Sequence, residues 1–153
     1  MTAVAVSIEP VEGPEILSFL AASDAYAAAL YPAESNHMLA PEALREPHVT
    51  FFVARLDGKA VGCGALVRQG GYGEIKRMFV ADEARGLGIG RGLLAAIEGE
   101  ARKAKLPLLR LETGIRQPQA IGLYRAAGFR DIPPFGPYGP DPLSLFMEKA
   151  LAP

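Results

Sequence analysis

The stretch Arg85–Arg91 combines glycine and arginine in a pattern that suits the binding of an anion. Three of its residues, Gly86, Gly88 and Gly90, are glycines at alternate positions, and an arginine stands on each side. Backbone N–H groups at the start of a helix lack partners and carry partial positive charge, so they hold phosphate without side chains. Glycine has no Cβ, which lets such a backbone approach a ligand closely. The stretch therefore predicts a pyrophosphate site.

Such a site needs a strand before it and a helix after it, and the hydrophobic pattern predicts both. Tyr72–Val80 is typical of a strand, and its apolar end runs into the glycine turn. The spacing of Leu93, Leu94 and Ile97 predicts a helix that begins near Arg91. The glycines therefore occupy a strand-to-helix turn.

The rest of the chain predicts the element order β-α-α-β-β-β-α-β-α-β-β. Helices are expected to start at Pro14, Pro41 and Pro118. The expected strands are Thr2–Ile8, Val49–Leu56, Ala60–Arg68, Tyr72–Val80, Leu108–Thr113, Phe129–Ile132 and Leu143–Lys149. Hairpins join the middle strands in antiparallel pairs, whereas the later helices act as crossovers that favour parallel pairing. The prediction is an α/β protein of the α+β type, with a mixed sheet and helices on both faces.

Composition limits the classes of protein to consider. The 153 residues fit one domain, 1–153, and 50% hydrophobic with 22% charged residues is typical of a globular protein. A net charge of −1 at pH 7 argues against a nucleic-acid partner. The sequence has no long apolar run and no signal-like start, so we expect a cytoplasmic protein without a membrane partner. The single cysteine, Cys63, predicts a buried core residue, no disulfide framework and no metal site.

Two common phosphate-binding templates do not fit the glycine turn. The dinucleotide pattern G-x-G-x-x-G requires glycine where Arg91 or Leu93 stands, and the Gly-Lys-Ser/Thr of a P-loop is absent. The strand before the turn belongs to a meander, whereas a Rossmann unit opens a parallel βαβ pair. A different nucleotide-binding α/β protein is therefore a disfavoured alternative.

A third template does fit, and it is accompanied by a second motif. Arg85, Gly88 and Gly90 form Arg-x-x-Gly-x-Gly after the strand that ends at Val80. Further along, Ala120–Tyr124 and the Ala-Gly-Phe that follows match an "A-x-x-L-Y … G-F" pattern. With both motifs in this order, the chain resembles the GNAT superfamily of acyl-CoA-dependent N-acyltransferases.

The resemblance implies that acetyl-CoA is the donor and that it binds at the glycine turn. The backbone amides that would hold its pyrophosphate belong to Gly86, Leu87, Gly88, Ile89, Gly90 and Arg91. The side chains of Arg85 and Arg91 would assist. The pantetheine arm would pair with the backbone of Met78, Phe79 and Val80, as an added strand pairs with a sheet edge.

In this family the fourth and fifth strands splay apart to admit the pantetheine arm. The matching segments here are Ile75–Val80 and Leu108–Thr113. Many relatives carry asparagine where this chain has Gln117, so an amide is retained on a longer side chain. The resemblance therefore predicts a pantetheine site between these strands.

Transfer of an acyl group to an amine needs a base and benefits from an acid. An alkyl amine with a pKa of about 10.4 is almost entirely protonated at neutral pH. Glu74 is the candidate base, and the alternative is an exposed strand-end carboxylate paired with Lys76 or an arginine. Tyr124 matches the family tyrosine near the sulfur and is the candidate acid for the leaving thiolate. The alternative for Tyr124 is a packing role.

The acceptor site is expected in two segments outside the motifs. The connector from Tyr31 to Met38 carries Glu34, Ser35 and His37, of which His37 could also act as the base. The other candidates, Phe135 and Tyr138, lie in a proline-rich loop. The alternative for the connector residues is that they cap the next segment or face solvent. The alternative for the loop residues is that they pack without a catalytic role.

These observations predict an N-acetyltransferase that moves an acetyl group directly from the thioester to a primary amine of a small molecule or peptide. An acyl-CoA-binding regulatory module without turnover is the alternative. The sequence leaves open the identity of the amine, the use of other acyl groups, the choice among Glu74, His37 and water as the base, and the formation of a homodimer.

Overall fold

The computed structural model describes residues 3–36 and 38–151. We number the strands and α-helices of these residues in chain order: β1 Val4–Ile8, α1 Pro14–Leu30, α2 Pro41–Leu44, β2 Val49–Leu56, β3 Lys59–Arg68, β4 Gly73–Val80, α3 Ile89–Lys103, β5 Leu108–Gly114, α4 Pro118–Ala126, β6 Arg130–Ile132 and β7 Ser144–Ala150. The predicted element order is confirmed, and most boundaries differ from the prediction by one or two residues. His37, a candidate base, lies outside the described residues.

The strands form one seven-stranded sheet in the order β1-β2-β3-β4-β5-β7-β6. Every neighbouring pair is antiparallel except β4 and β5, which are parallel. The parallel pair follows from the α3 crossover, because a chain that leaves one strand through a helix returns in the same direction. The predicted mixed sheet is confirmed, but the parallel pairing expected after α4 is wrong, because β5 and β6 each pair with β7 in antiparallel fashion.

Helices cover both faces of the sheet, as predicted. On one face α3 and α4 pack on a core that includes Leu93, Ile97 and Leu109. On the other face α1 and α2 pack on a second core around Leu20 and Leu44. No helix of the described residues is both long and apolar enough to cross a bilayer.

A β-bulge interrupts β4 in the middle of the sheet. Cys63 pairs with Phe79 and Ala65 pairs with Lys76, so two residues of β4 lie opposite one residue of β3. That residue is Gly64, where a Cβ would come within 2.7 Å of the Met78 sulfur. The bulge therefore depends on the missing side chain at this position.

The parallel pair β4–β5 is short. Its ladder joins only Gly73–Ile75 to Leu109–Leu111, and the strands diverge beyond it. The predicted splay is confirmed. Backbone groups past Ile75 consequently face a gap between the strands, which is the place where an extended ligand could add hydrogen bonds.

Candidate active site

A large cavity follows the glycine turn and the gap between β4 and β5. Its volume is 540 Å³, and three arginines, Arg85, Arg91 and Arg116, belong to its wall. Among the described residues, no aspartate or glutamate lines it. A wall that is lined by cations and not by carboxylates favours a ligand rich in phosphate.

The glycine turn presents bare backbone to this cavity. Gly86 and Gly88 have φ angles of 82° and 78°, which side-chain-bearing residues adopt rarely. A Cβ built on either would meet no atom within 4 Å, so the space beside the backbone is open. Gly88 caps the N-terminus of α3 without a side-chain hydrogen bond, and the first amides of the helix therefore lack helical partners.

The helix begins at Ile89, two residues earlier than predicted, because Gly88 already provides the left-handed cap. Ile89 is buried in the core and orients the first turn. The side chain of Leu87 is exposed and does not line the cavity, so only its backbone could contribute there.

Arg85 spans the mouth of the large cavity. Its guanidinium donates to the Gln119 side chain at 3.0 Å and to the Tyr26 hydroxyl at 3.4 Å, and it pairs with Asp82 at 3.2 Å. Sequence reasoning missed Tyr26, Arg116 and Gln119, because they stand outside the two motifs. For Arg116, its position directly before Gln117 could have served as a signal.

The smaller cavity has a volume of 120 Å³ and lies on the α1 side of the sheet. Its wall carries Tyr31, Ser35, Glu74, Lys76, Arg77, Glu112 and Tyr138, among others. It shares six lining residues with the large cavity: Tyr26, Met78, Phe79, Gln117, Ala120 and Tyr124. The two cavities therefore meet, and a ligand in one can reach a ligand in the other.

Tyr124 stands at this junction. It is 5% exposed, and among the described residues its hydroxyl has no hydrogen-bond partner. Burial, followed by the nearby charge of Glu112, raises the pKa of Tyr124. The hydroxyl is therefore a protonated donor at neutral pH and is available to a ligand at the junction.

Glu74 lies in the small cavity and is 4% exposed, so the exposure that the alternative assumed is wrong, whereas the pairing with Lys76 that it included is present. The Tyr138 hydroxyl donates a short hydrogen bond to Glu74 Oε2, and Lys76 Nζ lies 3.5 Å from the same oxygen. Lys76 also donates to the Tyr138 oxygen at 2.5 Å. Burial and this carboxylate raise the pKa of Tyr138, which keeps its proton in place.

The Tyr31 side chain joins the end of α1 to the loop after β5. Its hydroxyl donates to Gln117 Oε1 at 3.2 Å and accepts from the Arg116 N–H at 3.1 Å. The contact requires Gly114, because a Cβ there would lie 1.9 Å from the Tyr31 oxygen. Burial raises the pKa of Tyr31. This bond also orients the Gln117 amide, which the sequence placed near the pantetheine arm.

The remaining acceptor candidates divide into two groups. Ser35 lines the small cavity and donates to Asp141 Oδ2 at 2.8 Å. Glu34 is exposed and does not line either cavity. Phe135, in the proline-rich loop, is buried, and its ring centroid is 5.2 Å from that of Tyr138. It therefore packs against this tyrosine and does not line the small cavity.

Three charged residues of the small cavity, Lys76, Arg77 and Glu112, were not predicted as part of the site. They lie in ordinary strand patterns, and the splay of β4 and β5 together with the β4 bulge brings them to one space. Cys63 is fully buried, as predicted, and its thiol donates to the Arg77 carbonyl at 3.1 Å. Burial raises the pKa of this thiol to about 12, so the thiol is not a nucleophile at neutral pH.

Comparison with known proteins agrees with this geometry. A sequence model of the Acetyltransferase (GNAT) family matches residues 16–129. The match covers both motifs and the intervening elements, and the chain belongs to the GNAT acetyltransferase family.

Similar proteins carry acetyltransferase names. The chain is 60% identical over 130 residues to an IAA acetyltransferase of Azospirillum brasilense, which covers 84% of this chain and 85% of that protein. It is 35% identical over 149 residues to an uncharacterized N-acetyltransferase, YsnE, of Bacillus subtilis, with 95% and 99% coverage.

Solved structures agree with the fold. A Klebsiella pneumoniae structure of the acyl-CoA N-acyltransferase class superimposes with a TM-score of 0.82 and 39% identity, over 97% of this chain and 98% of that one. The PaiA N-acetyltransferase of Thermoplasma acidophilum, solved in complex with coenzyme A, has a TM-score of 0.74 and 17% identity, with 97% and 99% coverage.

Proposed function

We propose that the protein transfers an acetyl group directly from acetyl-CoA to the amine of a small acceptor. The observation that supports this most strongly is the meeting of two chemically different cavities at Tyr124. One is cationic and follows the glycine turn, and the other holds a buried carboxylate, Glu74. A donor and an acceptor bound in these two cavities would meet at the junction.

The large cavity fits the donor. Backbone amides at the start of α3 would bind the pyrophosphate, and Arg91 and Arg116 would neutralise its charge. The backbone of Met78–Val80 would pair with the pantetheine arm, and the Gln117 amide would hydrogen-bond to it. Acetyl-CoA bound in this way brings the thioester that the reaction consumes.

The small cavity supplies the acid–base chemistry. Glu74 uses Oε2 for Tyr138 and Lys76, and among the described residues Oε1 has no partner. This oxygen would accept the amine proton, directly or through a water molecule, as the N–C bond forms and the C–S bond breaks. Tyr124 would donate a proton or a hydrogen bond to the departing thiolate. A volume of 120 Å³ favours a small acceptor.

The experiment combines two measurements on the purified protein. Calorimetry measures the binding of acetyl-CoA, and a thiol-release assay measures its turnover with a panel of amines and amino acids. We expect binding, together with acceptor-dependent release of coenzyme A. Binding without turnover on any acceptor would favour the regulatory module instead. A failure to bind acetyl-CoA would refute both.

A further inference from the structure

Arg77 is a buried cation in the wall of the small cavity, and part of its hydrogen-bonding capacity is unused. Its side chain is 0% exposed. Within residues 3–36 and 38–151, its Nε and Nη2 atoms have no hydrogen-bond partner. Buried guanidinium donors are almost always paired, because an unmade bond to a charged group costs about 1–3 kcal/mol or more. This arginine therefore points to a ligand.

The β4 bulge is what brings Arg77 to this face. Regular alternation would send it to the same side as Ile75, into the core beneath α3. Arg77 has a φ of 61°, a left-handed conformation that costs about 1–3 kcal/mol for a residue with a side chain. The backbone thus bears strain at the residue that places a cation beside Glu74 and Lys76.

The bonds that Arg77 does make fix its orientation. Its Nη1 lies 2.5 Å from Asp24 Oδ1 and 3.5 Å from the Met38 sulfur. The edge that remains, Nε with Nη2, can bind a carboxylate in bidentate fashion. The same molecule shows this geometry at Arg55, whose Nε and Nη2 donate to the two oxygens of Glu9 at 2.8 and 2.9 Å.

We propose that Arg77 binds a carboxylate of the acceptor, so that the substrate class is amines carrying a carboxylate, such as amino acids. This inference rests on the proposed function. The acceptor's amine faces Glu74 while its carboxylate occupies the free edge of Arg77. Lys76 does not compete for the carboxylate, because it is bonded to Glu74 and Tyr138.

The test uses acceptors in matched pairs that differ only by the carboxylate. The pairs are alanine with ethylamine, methionine with 3-(methylthio)propylamine, and phenylalanine with 2-phenylethylamine. The carboxylate also changes the basicity of the amine. We define the preference as kcat/KM for the amino acid divided by kcat/KM for the matching amine. The informative quantity is the preference of the wild type divided by that of R77K or R77Q. Intrinsic reactivity cancels in this ratio.

We expect the preference to fall by about tenfold or more in R77Q and by less in R77K, which keeps the charge but loses the fork. R130K, a conservative change at an exposed arginine of β6, should leave the preference unchanged. Equal preference in wild type, R77K and R77Q, with normal turnover, would overturn the inference and leave the proposed function intact.

A binding measurement separates the two proposals and does not require turnover. Calorimetry with the coenzyme A-loaded protein should show alanine binding in the wild type and much weaker binding in R77Q. If R77K and R77Q unfold, the test uses the wild type alone and measures its inhibition by propionate, a carboxylate without an amine. Competition with the acceptor is expected, and its absence would overturn the inference. Arg77-dependent binding without turnover would refute the proposed function alone.

Discussion

In the proposed mechanism the Tyr124 hydroxyl lies at the leaving thiolate, and its protonation state suits a donor. Its raised pKa means that the proton is retained at higher pH than in a free tyrosine, whose pKa is about 10. An acid acts while it is protonated, so a raised pKa extends the active range upward. Loss of the Tyr124 proton should therefore not lower kcat between pH of about 7 and 10.

Replacing Tyr124 with phenylalanine removes only the hydroxyl. We expect Y124F to lower kcat by about 10²-fold while the Kd for acetyl-CoA is largely unchanged, because the donor bond forms as the thiolate departs. Y26F is the matched control, since Tyr26 lines the same junction but its hydroxyl accepts from Arg85 at 3.4 Å. Equal losses in both variants would remove Tyr124 from the mechanism.

Glu74 is the carboxylate to which the site's donors converge. We expect E74Q to lower kcat by about 10²-fold or more, because an amide accepts a proton far more weakly than a carboxylate. Steady-state kinetics with a saturating acceptor measure this loss. E112Q removes the other carboxylate of the small cavity, whose bond to Ser144 is 2.8 Å long, and should cost less. A larger loss in E112Q would assign the base to Glu112 instead.

At the scale of elements, the glycine turn determines how closely a ligand can approach α3. G88A introduces a side chain at a φ of 78° and places its Cβ in the open space beside the turn. We expect a loss of about 1 kcal/mol in the free energy of unfolding and about tenfold weaker binding of acetyl-CoA. Chemical denaturation and calorimetry measure the two effects.

The same helix offers a control. Gly99 lies in the middle of α3, and a Cβ there would meet no atom within 4 Å. G99A should therefore increase the free energy of unfolding by about 0.5–1 kcal/mol and leave the binding of acetyl-CoA unchanged. Weaker binding in G99A than in G88A would contradict the role of the turn.

The elements also show where sequence reasoning stops. Hydrophobic period, turn residues and proline positions were enough to predict every strand and helix in order. They could not predict the bulge at Arg77, because a bulge arises from a mismatch between two paired strands and not from either strand alone. Arg77 and Lys76 were consequently missed as parts of the small cavity.

At the scale of the whole molecule, Arg55 connects distant parts of the chain. It binds Glu9 after β1 and Glu15 at the start of α1, and Glu15 also accepts from the Ala60 N–H at 3.0 Å. The hydrogen bond from Arg55 holds the pKa of Glu9 below its usual range. The Arg55–Glu9 pair therefore stabilises the folded state at pH values above about 4.3, the pKa of a glutamate in the unfolded chain. This stability is lost as pH falls through the folded pKa.

We expect E9Q to lower the free energy of unfolding by about 1 kcal/mol at pH 7. The difference from wild type should shrink toward zero as the pH falls below about 4, because the wild-type carboxyl then also becomes neutral. Urea denaturation at several pH values tests this. E46Q, at an exposed glutamate, should show no such pH-dependent difference. A constant difference at all pH values would contradict the linkage.

The sequence by itself determined the family, the fold and the proposed donor site. The family, the mixed sheet, the glycine turn and Tyr124 all depend on local features, because a backbone cradle is specified by glycines within a few residues of each other. Gln117 belongs to this group as well, although Tyr31 turned out to hold its side chain.

Only the tertiary structure decided the side-chain arrangement of the proposed acceptor site. Glu74 meets Tyr138 across 64 positions of the chain, and Tyr31 meets Gln117 across 86. Such contacts depend on the splay of β4 and β5, on the bulge and on loop packing, none of which has a local signal in the sequence. The physical reason is that a backbone site is built by neighbours along the chain, whereas a side-chain cavity is built by neighbours in space.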